Sequence, residues 1–303
     1  MDCFIYGCGC LYNRILPVIR MCDEINVLGV VTTDKPETPA IDGFKRLQAN
    51  ETDWESADLV IIAIEDWREV FNELSRSGLP DEKIMLGKVF ELPYFDLNEY
   101  MQVKYCRPSI ISNSCLGGRV YKEMGLKALT PCVNAICFDD DSYIRFIKNL
   151  SIYKDVDIRP LKSNINERFA GTYNREYFIP KGIVGDEIIW HFPHDDMDKA
   201  IYNWNRRKSR INESNLFYLM IAFSDEGAYA FDRLDTEKKI CFYYRDLGLK
   251  SVVYTPEWNN IDVQRNYDYN YVMFVHRYAT NMEGRTRMNW ISFLNGKKSF
   301  LRW

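Results

Sequence analysis

The chain has no Cys-x-x-Cys pair, only three histidines, no excess of positive charge and no apolar run long enough to span a bilayer. Each lack removes a class of function. Without Cys-x-x-Cys spacing, zinc ribbons and thioredoxin-like redox sites are disfavoured. The nine cysteines are odd in number and scattered, which reads as reduced, buried thiols in a cytoplasmic protein. A net charge of −4 and a pI near 5.6 argue against a general grip on nucleic acid or an anionic membrane. Met1-Asp2-Cys3-Phe4-Ile5-Tyr6 runs straight into a glycine turn, without the basic and long apolar regions of a signal peptide. No repeat of fixed period and no low-complexity tract is visible.

What is present is ample core material: 47% hydrophobic and 15% aromatic residues in 303. That length favours two domains. Strand signals at residues 3–6, 27–31, 57–64 and 83–86 alternate with helical stripes such as Leu11, Ile15, Val18 and Ile19. Such alternation predicts a parallel sheet with right-handed crossovers. The expected class is α/β, with two Rossmann-like or doubly wound domains, at residues 1–92 and 108–303. Residues 91–107, with Pro93 and several aromatics, read as a surface connector. In the second half, strands are expected at 133–138, 186–192, 216–223, 239–244 and 251–254, and helices at 142–150 and 197–211. The tail from 258 to 303 gives no clear order.

Tyr6-Gly7-Cys8-Gly9-Cys10-Leu11-Tyr12 is a partial dinucleotide fingerprint. Gly7 suits the tight turn, and Gly9 allows a pyrophosphate to approach a helix N-terminus. Tyr12 stands where a third small residue belongs, and Thr32 and Thr33 stand where an acidic ribose ligand belongs. NAD-dependent oxidation is therefore disfavoured, and the sequence assigns no cofactor. Together with Gly29-Val30-Val31, Ile41-Asp42-Gly43-Phe44, Val60-Ile61-Ile62-Ala63-Ile64 and Leu79-Pro80-Asp81-Glu82-Lys83-Ile84, the segment resembles small Rossmann-like domains of bacterial sugar-modifying enzymes, including sialic-acid-type O-acetyltransferases. In that group the glycine turn can face a sugar nucleotide. No hexapeptide repeat of an acetyltransferase β-helix follows.

The richest segment is Ser109 to Tyr121: a short buried strand, the polar turn Ser112-Asn113-Ser114, then Cys115 and the pair Gly117-Gly118 ahead of a helix. A strand-to-helix turn can present a side chain beside free backbone N–H groups. Cys115 as nucleophile, His191 or His194 as base, and Asp186, Glu187 or Asp195 as orienting acid form one candidate constellation. His191-x-x-His194-Asp195-Asp196 offers ligand types for a divalent metal, although Pro193 interrupts it, and no metal is assigned. Asp139-Asp140-Asp141 reads better as the acidic first turn of a helix than as a metal–nucleotide motif. Arg206-Arg207-Lys208-Ser209-Arg210 concentrates positive charge against the sign of the whole chain. Arg206, Arg207 and Arg210 are candidates to hold a phosphate or carboxylate.

The motifs around Asn113, Gly117 and Gly118, then Thr130-Pro131, Gly185-Asp186-Glu187-Ile188, His191-Phe192 and Trp204-Asn205-Arg206-Arg207-Lys208-Ser209-Arg210-Ile211-Asn212, resemble a bacterial family of unknown function, number nineteen-nineteen. Its members are often labelled exopolysaccharide or capsule biosynthesis proteins. The resemblance implies a cytoplasmic role in surface polysaccharide synthesis with a sugar or sugar nucleotide as partner. Asn113, Gly117, Gly118 and Asn212 join Gly7, Gly9 and the arginines as expected ligand-binding residues, with Cys115, His191 and Glu187 at the reacting end. A transferase acting on a phosphate-bearing sugar is the first expectation. A non-catalytic binding protein is the second, and an oxidoreductase the third. A homodimer is compatible with all three.

Overall fold

Alternating apolar runs and amphipathic segments build the first of two units, Met1–Tyr105. The computed structural model describes residues 1–161, 169–170, 176–177, 179–185, 187–193, 195–260, 267–280 and 287–297. In the first unit these are β1 (Asp2–Tyr6), α1 (Cys10–Arg20), β2 (Asn26–Thr32), β3 (Ala40–Ile41), β4 (Phe44–Gln48), β5 (Leu59–Ile62), α2 (Arg68–Arg76), β6 (Ile84–Leu86) and α3 (Leu97–Cys106, whose last residue opens the second unit). The sheet order is β3-β4-β2-β1-β5-β6, parallel except for the β3–β4 hairpin. Counting the parallel strands alone, the order is third, second, first, fourth, fifth, the doubly wound order without a sixth strand, with the reversal between β1 and β5. All four residues of β5 are buried, as expected for a strand covered on both faces. Phe4, Tyr6, Val60, Ile62 and Leu74 share one core.

Two details differ from the sequence reading. Residues 97–106 form α3, not a loose connector. Asp96 opens the helix by accepting from the Glu99 N–H at 2.8 Å, and Tyr100, Met101, Val103 and Lys104 are buried. Even the lysine is used: its Nζ donates to the Ile84 carbonyl, and burial brings its pKa down to about 8. Tyr12 also departs from the dinucleotide pattern usefully. It is fully buried, and its hydroxyl donates to Asp42 Oδ2 at 3.0 Å at the tip of the β3–β4 hairpin.

The glycine turn divides in two. Gly7 has φ +100°, and a Cβ there would lie 2.6 Å from Ile64 Cγ1. Gly9 caps α1 with nothing within 4 Å of a Cβ position. Gly7→Ala should therefore cost about 2 kcal/mol or more in a urea unfolding series, through backbone strain and overpacking. Gly9→Ala should cost less than about 1 kcal/mol. Equal costs would show that the turn is not held as described.

The second unit, Cys106–Trp303, begins with β7 (Ser109–Ser112), α4 (Leu116–Glu123), α5 (Asp140–Lys148) and α6 (Leu150–Tyr153). It continues with β8 (Ile158–Pro160), β9 (Phe169–Ala170), β10 (Glu176–Tyr177), β11 (Lys181–Val184), β12 (Ile188–His191) and α7 (Met197–Lys208). Last come β13 (Leu216–Ile221), α8 (Asp225–Asp232), β14 (Lys239–Tyr243), β15 (Val252–Tyr254), α9 (Tyr267–Ala279) and α10 (Trp290–Leu294). A parallel sheet runs β7-β13-β14-β15 in chain order, without reversal. A separate antiparallel sheet runs β12-β11-β8, and β9 pairs with β10. The strand expected over 133–138 is instead a 3-10 turn at Pro131–Asn134, opened by Thr130 Oγ1 accepting from Cys132 N, followed by a single bridge from Ile136 to His191. Pro131 at the first helical position favours that turn.

Candidate functional site

α7 is fixed from behind and open in front. Asp196 caps it by accepting from Lys199 N at 2.8 Å. Its inner face buries Ala200 and Trp204. Trp204 packs on Trp190 at 5.2 Å between ring centroids, with Phe146 and Phe192 each at 6.2 Å. Asn205 Oδ1 accepts from Ile158 N at 3.4 Å, tying the helix to β8. The outer face and last turn carry Tyr202, Arg206, Arg207 and Lys208, with Arg210 just beyond.

The basic residues fall into different environments. Lys208 is used locally, donating to Asp157 Oδ1 at 2.6 Å and to the Asp155 carbonyl at 2.9 Å. Arg206 is exposed; it donates to Asn203 Oδ1 at 3.2 Å and lies over the Tyr202 ring at 5.3 Å. Arg207 is half-buried. Its pKa is pushed down by loss of solvent and then by Arg206, with Asp195 pulling the other way and Arg210 adding to the repulsion. Positive charge in a last helical turn suits the macrodipole. The macrodipole gives no reason to take a guanidinium out of water beside two others.

Asp195 is the hub of this neighbourhood. Its side chain is 3% exposed and is bonded by Lys199 Nζ at 2.9 Å. Asn134 Nδ2 reaches it at 3.5 Å. Its charge acts on Arg207 and also on the Cys115 thiol, which feels Arg119 as well. The arginine cluster and Cys115, 92 positions apart in the case of Arg207, are thus brought into one electrostatic neighbourhood. Gly118 helps to make it. A Cβ there would sit 2.3 Å from the Val133 carbonyl, so the glycine lets the Pro131–Asn134 turn close on α4 and carry Asn134 to Asp195.

The constellation expected at the reacting end has different surroundings. Cys115 sits at the start of α4, 5% exposed, and burial pushes its thiol up to about 12, so it is protonated at neutral pH. His191 ends β12; its Nδ1 lies 3.3 Å from the Ile136 carbonyl and its ring meets Phe138 edge-on at 5.0 Å. Glu187 is exposed and ion-paired with Arg145. His191 and Glu187 each meet a partner outside the expected trio. His194 and Asp186 lie outside the described residues. Thiol alkylation should therefore label Cys10 and Cys106, the two exposed cysteines, within minutes and leave Cys115 unlabelled until the protein is unfolded. Rapid native labelling of Cys115 would restore the nucleophile.

Other expected binding residues have structural work. The Asn113 amide accepts from Ile221 N and donates to the Ile221 carbonyl, both at 2.9 Å, extending β7 against β13. Asn212 Nδ2 donates to the Cys106 and Arg107 carbonyls, and Asn212 Oδ1 accepts from Ser214. A Cβ on Gly117 would meet Ser112 Cβ at 3.1 Å, so this glycine sets the approach of α4 to β7. Asp139 caps α5 through Ser142 N at 3.0 Å. Asp140 crosses to the start of α8 and accepts from Phe223 N, Ser224 N and Ser224 Oγ at 3.0, 3.0 and 2.8 Å. That carboxylate seals the N-terminus of α8 against any other anion.

Sequence reasoning missed Asn134 and Lys199, and named Asp195 only as an orienting acid or metal ligand, because only the fold brings the Pro131–Asn134 turn against α7. It also missed His276, whose Nε2 lies 3.4 Å from Ser114 Oγ with both side chains buried. The two stand 162 positions apart, and nothing local in the sequence links them. Among the described residues, no three His, Cys, Asp or Glu side chains converge as metal ligands. Among them also, no helix is long and apolar enough to cross a membrane.

Residues 1–85 match a family model described as C2185-like, N-terminal. No curated protein matches the chain. A second family match begins at residue 86, the last residue of β6, whereas the compact units divide after Tyr105. That match runs over residues 86–292, more than half of the chain, and the protein belongs to the family described as Domain of unknown function (DUF1919).

Proposed function

We propose that the protein recognises a phosphate-bearing sugar used in surface polysaccharide synthesis, and that the C-terminal end of α7 holds the phosphate. The observation that carries this reading is Arg207. A guanidinium that has lost part of its water, beside Arg206 and Arg210, is destabilised by desolvation and by like-charge repulsion. A bound dianion offsets both and offers oxygens in the bidentate geometry that arginine matches. The carboxylate acting on Arg207, Asp195, is already bonded to Lys199, so the neighbourhood keeps an excess of positive charge.

The polysaccharide setting rests on the sequence resemblance, the phosphate on the arginines. Covalent transfer through Cys115 draws no support from a protonated, buried thiol. Binding, or direct transfer from a bound donor without an enzyme nucleophile, fits better. The test is titration of the whole protein with inorganic pyrophosphate and with sugar phosphates, wild type against Arg207→Ala. Loss of affinity in the variant supports the reading, and unchanged affinity removes it.

A further inference from the structure

The front of α7 carries one side chain that neither the phosphate reading nor the core accounts for. Tyr202 is 63% exposed, the most exposed aromatic among the described residues. It lies on the same helix as Arg206 and Arg207, one turn ahead of them. The Arg206 guanidinium lies over its ring at 5.3 Å and is steadied by Asn203 Oδ1. The opposite edge of the helix is locked by Trp204 in the aromatic core, so the ring stands on a rigid support.

We propose that Tyr202 is a stacking platform for a nucleobase, and that the ligand of this site is a nucleoside diphosphate or its sugar ester. The inference rests on the phosphate reading above and names the substrate class. Two arguments favour a nucleotide over a simple sugar phosphate. Flat aromatic and guanidinium surfaces are what unpaired bases stack on, at about 1–3 kcal/mol per base. The spacing also fits. With about 1.5 Å of rise per residue, the Arg207 backbone lies about 7.5 Å along the axis from that of Tyr202, while the Arg206 guanidinium lies against the ring itself at 5.3 Å. A ribose sets a base apart from its first phosphate, and the second phosphate extends the reach. In a sugar 1-phosphate the phosphate hangs directly from the ring and has no such spacer.

Calorimetric titration of the full chain with uridine, cytidine, guanosine and adenosine diphosphates, and with inorganic pyrophosphate, tests this. At least one nucleotide should bind the wild type roughly 5- to 150-fold more tightly than pyrophosphate. Tyr202→Ala should erase that preference, so that nucleotide and pyrophosphate bind the variant alike, and Tyr202→Phe should keep it. If no nucleotide outbinds pyrophosphate in the wild type, or if Tyr202→Ala retains the preference, the platform is overturned while the phosphate site stands. If Arg207→Ala binds pyrophosphate as well as the wild type, the phosphate reading itself falls.

Discussion

Gly227→Ala should destabilise the second unit by about 3 kcal/mol or more, although helix propensity alone predicts a gain of roughly 1 kcal/mol from alanine inside α8. The added methyl would lie 2.1 Å from Asp140 Oδ2 and 2.5 Å from its Cγ. Asp140 cannot swing away freely, because its carboxylate holds Phe223 N, Ser224 N and Ser224 Oγ. Displacing it strands two backbone donors in a site where Asp140 itself is 6% exposed. For a unit of this size the midpoint of thermal unfolding should fall by roughly 6–12 °C. Asp140→Ala should cost about 2–3 kcal/mol by leaving the same donors unmet. The double variant removes the clash, so its cost should be clearly less than the sum of the two. Additive costs would mean that the carboxylate does not seal α8 in this way.

The same residue gives a pH signature. Burial lifts Asp140 from 3.8 to about 6, against the lowering effect of its bonds from Ser224 and Phe223. The folded state then holds this proton more tightly than the unfolded state does. Its contribution to stability is greatest below about pH 4, falls as pH rises towards 6, and is flat above. The advantage of wild type over Asp140→Ala, measured by urea midpoints, should narrow across that window.

Much of this fold was legible because its periodicities are local. The apolar run 57–64 reads as a strand and contains β5, buried throughout, and the helix expected over 197–211 is α7, which turns Trp204 into the core. The β3–β4 hairpin was also legible in principle. Asp42-Gly43, with φ +50° and +87°, is the dipeptide that a tight hairpin favours. α3 was hidden because its apolar residues do not keep to one face, and Lys104 among them reads as surface. At the site, the arginines stood out by charge density, while Asp195 stood out only as a candidate acid for Cys115 or a metal, since its place near the arginines depends on Asn134 and Lys199 meeting it in space. A strand, polar turn and helix start look alike in sequence whether the thiol that follows is presented or, as with Cys115, packed away. Gly117 and Gly118 were read as open backbone, and the fold uses them for close approach to Ser112 and Val133.

Arg207→Ala is the second substitution with a large expected effect, and its two consequences should run in opposite directions. Without ligand, removing a half-buried guanidinium that is repelled by Arg206 and Arg210 should leave stability unchanged or slightly raised. With ligand, losing charge-assisted hydrogen bonds should cost about 1.5–3 kcal/mol, or roughly 10- to 150-fold in affinity. Arg207→Lys should recover only part of this, because charge is kept while the planar fork is lost. Binding to the wild type should weaken with salt, as the attraction is screened over about 8 Å at physiological ionic strength. The most direct measurement is therefore a calorimetric titration of wild type and Arg207→Ala with inorganic pyrophosphate at low salt, each preceded by a thermal unfolding scan. Tight binding by the wild type, a loss of at least about tenfold in the variant and an unfolding midpoint no lower than that of the wild type are the predicted result. Equal affinity in the two proteins, or no binding by the wild type, would contradict a phosphate site at the end of α7.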